Sequence, residues 1–137
     1  MSVAAELQKL IVDLLKGDDA VAALVGTRVY DRVPAGAAFP YLSLGPHDVV
    51  DDDSEGIVGG EHTVQVDGWS RAPGGFVEAK RLGAAAKAAL HHPGGVSLTG
   101  FGLVDLWVAS VRYLRDPDGL TSHAVLTLTA FAEERIE

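Results

Sequence analysis

The chain has no cysteine and a single methionine among its 137 residues. That removes disulfides, thiolate nucleophiles and zinc–thiolate centres together, and with them the small disulfide-stapled secreted scaffolds. Basic residues are scarce: 11 Lys and Arg stand against 19 Asp and Glu, a formal net charge of −8. Duplex DNA is gripped by Lys and Arg, so this balance argues against a basic nucleic-acid-binding face. Long hydrophobic runs are missing as well. The first apolar stretch, Val3 to Leu15, is broken by Glu6, Gln8, Lys9 and Asp13, too polar for a signal-peptide core or a membrane span. What is present, 47% hydrophobic and 22% charged residues, is the composition of a folded domain. At this length the whole chain, residues 1–137, is expected to form one domain with a core of its own.

Hydrophobic periodicity predicts the elements. Val3, Leu7, Leu10, Ile11, Leu14 and Leu15 recur at helical spacing, with Glu6, Lys9, Asp13 and Lys16 on the other side. Gly17 stops that helix, and Asp18 is placed to cap a short second one ending at Gly26. Val29 and Tyr30 read as a brief extended piece, and Tyr41 to about Leu44 as a strand. Residues 48–60 read as an acidic loop, too polar for core. A strand follows from Glu61 to Arg71, with Gly68 suggesting a bulge. An Ala-rich helix is expected from Phe76 to about Leu90, stopped at Pro93-Gly94-Gly95. Leu103–Arg115 and Thr121–Glu133 are two long β-rich runs joined by Asp116-Pro117-Asp118-Gly119, strong turn chemistry and so a hairpin. The first run is apolar on both alternating sets, which predicts a covering layer on each face, or on one face with a neighbouring subunit over the other. The order predicts an α+β fold: an antiparallel or mixed sheet with a long C-terminal hairpin, packed against two main helices.

A search for chemistry finds little. Asp51, Asp53 and Glu55-Gly56 resemble the first half of a calcium loop, but the position that should carry the closing Glu holds His62. A solvated acidic loop is the better reading. His91-His92 closes the third helix, where the macrodipole favours an imidazolium. Neighbouring histidines point to different helix faces and do not chelate. Ser70 and Ser122-His123 are the nearest thing to a hydrolytic set, and no nucleophile elbow frames either serine. No catalytic, cofactor or metal residues are assigned. Arg28, Arg32, Arg71, Arg112 and Arg115 fall at strand ends or edges, where Arg commonly serves interfaces. With Trp107 and Tyr113 they are the candidate subunit-interface residues. At about 3.3 Å per residue, a 12-residue hairpin arm runs roughly 40 Å. It must bend around the core or pair with a neighbour.

One ordered set of residues resembles a known family. The run Arg28 to Pro34 is followed by Ala38-Phe39-Pro40-Tyr41, Leu44-Gly45, Glu61-His62 and Val66 to Arg71. After the long helix come Arg115-Asp116, Asp118-Gly119, Thr121 and His123. Together they are similar to the tail-completion, or tail-terminator, proteins of long-tailed phages and gene transfer agents, over essentially the whole chain. The resemblance implies a structural subunit, not an enzyme. It implies a six-membered ring that caps the finished tail tube, ends its polymerisation and meets the head-side connector, with DNA passing through unbound. Its partners would be itself, the tube protein and the connector, with no membrane, in a particle assembled in the bacterial cytoplasm. Six copies at −8 each would place −48 around the channel, which repels phosphate and lets the duplex slide. Asp51, Asp52, Asp53 and Glu55 are the candidates to face the channel or the tube. A head-completion or stopper protein is the nearest alternative, and a small metal-binding enzyme built on the acidic loop a remote one.

Overall fold

A computed structural model describes residues 2–51, 53, 58–73 and 75–134, with the Val104 side chain left aside. The element order is α1 (Val3–Gly17), α2 (Asp19–Val25), β1 (Val29–Tyr30), β2 (Tyr41–Asp51), β3 (Gly59–Ser70), α3 (Val77–Leu90), β4 (Phe101–Arg115) and β5 (Ser122–Glu134). The strands form one mixed sheet in the order β1-β2-β3-β5-β4, with β1–β2 parallel and the other pairs antiparallel. The predicted α+β class holds.

Local chemistry explains the helices. The Ser2 hydroxyl accepts from the Ala5 amide and starts α1, and the Asp18 carboxylate accepts from the Val21 amide and starts α2. Leu7, Ile11 and Leu15, one turn apart, are fully buried. On α3 the small residues Ala79, Gly83 and Ala86 let the helix sit close on the sheet. Gly68 of β3 lies beneath it, where a Cβ would come within 3.3 Å of Leu42 Cδ2 and 3.5 Å of Leu82 Cβ.

Gly68 therefore serves close approach and does not bulge: the pairs Leu42–Gly68 and Gly68–Ala124 run in unbroken register. The irregularity lies in the facing strand, between Leu44 and His47, where Pro46 has no amide to offer. The acidic segment also corrects the sequence reading. Asp48 to Asp51 continue β2 and pair with Thr63 to Gly60, so the loop shrinks to the stretch between Asp51 and Gly59. Polarity misled because these residues sit on an exposed end of the sheet, where pairing needs no apolar side chain.

The long hairpin is accommodated within the chain. The extended β2–β3 pair runs beside it, and β3 pairs with β5 from Ser70–Ser122 to Gly59–Glu133. The two apolar sets of β4 do not signal two covered faces. Register shifts between Leu103 and Asp105 and between Val108 and Ser110 change which parity faces the helices. Leu106 and Val108 face the core before the second shift, opposite Ala130 and Leu128; Val111 and Tyr113 do so after it, opposite Leu126 and Ala124. The core lies between the helices and one face of the sheet. Among the described residues the other face carries no helix.

Candidate functional site

The face turned away from the helices is built by alternation. On β3 the residues Val64, Val66, Gly68 and Ser70 point to the helices, so Glu61, Thr63, Gln65, Asp67 and Trp69 point away. On β5 the outward set is His123, Val125, Thr127, Thr129 and Phe131. Cross-strand rows then follow from register: Tyr41–Trp69–His123–Leu114, Ser43–Asp67–Val125–Arg112 and, toward the far end, Val50–Glu61–Phe131–Asp105.

At the centre of this face Asp67 is only 5% exposed. Its Oδ1 accepts from His123 Nε2 at 2.6 Å and from Gln65 Nε2 at 2.9 Å. A buried carboxylate needs such donors to replace water. The His123 ring is clamped against Trp69, 3.7 Å between centroids and 13° between planes, and Trp69 Nε1 donates to Ser43 Oγ at 2.9 Å. Gly45 completes the arrangement, since a Cβ there would fall 2.7 Å from Asp67 Oδ2. A second aromatic group, Trp107 on Phe131 at 5.7 Å with His92 at 6.3 Å, lies toward the far end.

These contacts make no hydrolytic triad. Ser70 and His123 occupy opposite faces of the sheet: Ser70 is fully buried under the helices and its hydroxyl donates to Glu78 at 2.8 Å. Ser122 also points to the helix side, toward the Gly75 carbonyl. Among the described residues no three His, Asp or Glu side chains converge as a metal site requires. Asp51 ends β2 and Asp53 Oδ1 accepts from the Gly59 amide at 3.1 Å, which closes the loop on itself. Asp52 and Glu55 lie outside the described residues. No described helix is long and apolar enough to cross a membrane.

The candidate interface residues divide between the two sides. Trp107, Arg71 and Arg112 lie on the open face, Arg71 stacked on Phe39 at 4.4 Å and in reach of Asp118 at 3.7 Å. Tyr113 and Arg115 turn to the helix side, Tyr113 against Gly83 and Arg115 over Phe76 at 4.6 Å. Arg71 and Arg115 meet at the rim of one cavity of about 370 Å³ beside the β4–β5 turn. Arg28 Nε donates to the Pro40 carbonyl at 2.9 Å, bracing the entry to β2, and Arg32 is exposed in the turn after β1.

His91 and His92 do something other than hold helix carbonyls. His92 Nδ1 lies 2.9 Å from Asp105 Oδ1, its amide donates to the Leu106 carbonyl, and His91 Nδ1 accepts from the Val108 amide at 3.1 Å. The pair covers the middle of the outer edge of β4. That hydrogen bond to His92 is the chief reason the Asp105 carboxyl is held below its usual range. A further pair, unremarked in the sequence, joins His47 and His62 on the helix side at 2.8 Å between Nε2 and Nδ1. Burial pushes the pKa of both downward; Asp48 partly opposes this at His47, and His47 adds to it at His62. Neither the Asp67–His123 nor the His47–His62 pair was legible as a motif, because each joins residues from different strands at 15 to 56 positions' separation.

Among the described residues, a sheet covered by helices on one side and presenting an open polar–aromatic face on the other suits a packing subunit. Comparison with known proteins agrees. Residues 9–133 match the family model described as tail completion protein gp17. A chain of the solved virion of a native gene transfer agent particle superposes with a TM-score of 0.87 at 34% identity, over 96% of this chain and 98% of that one. A second solved structure, at 17% identity over 98% of this chain and 95% of the other, shares the fold with a TM-score of 0.54. No curated protein gives a significant match. The chain belongs to the tail-completion gp17 family, as the sequence resemblance implied, and is a structural protein of the tail of a phage-like particle.

Proposed function

We propose that this protein completes the tail tube by closing as a ring of six copies on its head-side end. The ring stops further tube growth and presents the surface that joins the head connector, while DNA passes through its channel. The observation that carries this reading is the end-to-end match, at 34% identity, to a chain of a gene transfer agent virion. The chain's own properties support it. A ring subunit must meet its neighbours through two different surfaces, and this chain has a large face left uncovered by its helices. Its net charge of −8 suits a channel through which phosphate slides without being held. Asp51 and Asp53, at the tip of the β2–β3 extension, with Asp52 and Glu55 between and beyond them, are the acids assigned to the channel or tube side.

Deleting the gene and imaging the particles tests the reading. The expected result is overlong tails without heads. Heads that leak DNA beside unattached tails of normal length would instead make the protein a stopper on the head side.

A further inference from the structure

Each edge of the sheet is covered along only part of its length. On β2 the Leu42 amide donates outward to the Arg28 carbonyl, and β1 stops after Ser43. The irregularity between Leu44 and His47 keeps the outward-bonding set running through His47, Val49 and Asp51. On β4, His91 and His92 bond Val108 and Leu106, and the second register shift passes the outward set to Val111, Tyr113 and Arg115. The Asp116 amide, donating inward to the Thr121 carbonyl, fixes the same parity. Among the described residues nothing bonds the outward backbone groups of these two sets of three.

An uncovered edge is a template for another strand, and edges that must stay single are blunted with Lys or Pro. Neither His47–Asp51 nor Val111–Arg115 contains a Lys or a Pro. Both expose apolar side chains instead: Val49 is 50% exposed, Val50 65% and Leu114 38%. Among the described residues no other large hydrophobic of any strand is so exposed. Within the chain β4 runs opposite to β2, so a neighbour in the same orientation presents an antiparallel partner.

We infer that the sheet continues from copy to copy, the Val111–Arg115 edge of one copy pairing antiparallel with the His47–Asp51 edge of the next. Val49 then faces Tyr113, His47 faces Arg115 and Asp51 faces Val111, each pair exchanging two backbone bonds. Asp48 lies opposite Leu114 and Val50 opposite Arg112, so Val50 and Leu114 meet diagonally on the open face. In this register β1 falls past Arg115 and the two histidines past Asp51, and neither obstructs. The two edges are different surfaces, so the contact is heterologous and repeats in one direction. The stagger suits closure. Tyr113 aligns with Gly68 through Ala124, and Val49 aligns with His62, six residues away along β3. Each copy thus steps about 20 Å along the strands for about 19 Å across four of them, a tilt of roughly 45°. Strands in closed barrels tilt by about 35–45°. Helices on the inside would fill the channel, so they lie outside and the open face lines the passage. The inference rests on the ring reading and names its joint.

Because the chain has no cysteine, disulfide trapping reads the joint. Asp48 and Leu114 are exposed, and as a non-hydrogen-bonded pair their Cα atoms would stand about 4.5 Å apart, within disulfide reach. Within one chain they lie on opposite sides of the sheet, with β3 and β5 between them. Particles carrying Asp48→Cys with Leu114→Cys in place of the native chain are oxidised and run on a non-reducing gel. The expected result is a ladder of this chain reaching six copies, with no cross-link from either single variant. Uncross-linked chain in assembled particles, a ladder that stops at two, or the same ladder from a single variant would overturn the contact. Val49→Pro decides the matter if the cysteines prevent assembly. It removes an outward amide and spares the β2–β3 ladder, so by circular dichroism it should fold like wild type. Its entry into particles should nevertheless fall at least about tenfold, since the lost bond recurs at every joint. Normal entry would overturn the contact. The tail-closing role is read separately, from tail length in particles lacking the gene, and stands or falls on that result alone.

Discussion

The indole of Trp69 lies flat on the imidazole of His123, 3.7 Å away, and that imidazole donates to the buried Asp67 carboxylate. The stack is thus the lid of a buried hydrogen-bonded pair on the open face of the sheet. Trp69→Ala removes the lid and leaves Ser43 Oγ without its donor. It is expected to cost about 2–3 kcal/mol in urea unfolding, the low end for large aromatics because Trp69 is partly exposed. Trp69→Phe keeps a ring over His123 and is expected to cost about 1 kcal/mol. Equal stability of Trp69→Ala and wild type would show that the stack contributes nothing.

Gly83 of α3 and Tyr113 of β4 meet so closely that a Cβ at position 83 would fall 3.0 Å from Tyr113 Cζ and Cε1. In an unobstructed helix, Gly→Ala stabilises by about 0.5–1 kcal/mol. Here Gly83→Ala is expected to destabilise by about 1 kcal/mol, because the tyrosine ring must swing off the helix. In a Tyr113→Ala background the same change should turn stabilising. A double-mutant cycle by chemical denaturation reads the coupling, and additive effects would remove the steric account.

The His47–His62 pair makes stability depend on pH in a defined direction. One ring must accept the proton of the other, so both cannot be charged in the folded pair. Both folded pKa values lie below the unfolded 6.5, so below that pH the unfolded state binds more protons than the folded one. Stability is then full above pH 6.5 and falls as pH drops toward the folded values. Asp48 beside His47 softens the loss. Thermal melting between pH 7.5 and 5 should show a decline that His62→Leu flattens, whatever that variant does to stability at neutral pH. An unchanged slope in His62→Leu would assign the decline elsewhere.

Neutralising Asp51, Asp52, Asp53 and Glu55 together, as Asn and Gln, is expected to leave melting within about 1 kcal/mol of wild type, as for surface changes generally. The one described bond at risk is that from the Gly59 amide to Asp53, which Asn can still accept. Transducing or infectious titre should nevertheless fall, since the proposed role of these acids lies toward the channel or the tube. Normal titre from a well-folded variant would sink that assignment.

Much of the fold was legible because its signals are local. Leu7, Ile11 and Leu15 announce a helix by spacing alone, Asp18 caps the next one three residues before its bonded amide, and the turn at Asp116–Gly119 closes its own hydrogen bond. The reading failed where a local feature had a distant cause. Gly68 reads as a bulge in the sequence, and only Leu42 and Leu82, packed against it, make it a point of close approach. The two apolar sets of β4 suggested two covered faces until register shifts showed one face exchanged for the other along the strand.

The sequence by itself determined the class of the protein. Alternation, helical spacing and turn chemistry act between neighbours in the chain, and the order of motifs from Arg28 to His123 carried the family. Only the tertiary structure decided the surface. Which carboxylates share a face with Arg71 and Arg112, and that Ser70 and His123 look away from each other, follows from pairing between strands far apart in sequence. A one-residue change in that register turns every side chain to the other side of the sheet, and nothing local to any of these residues records it.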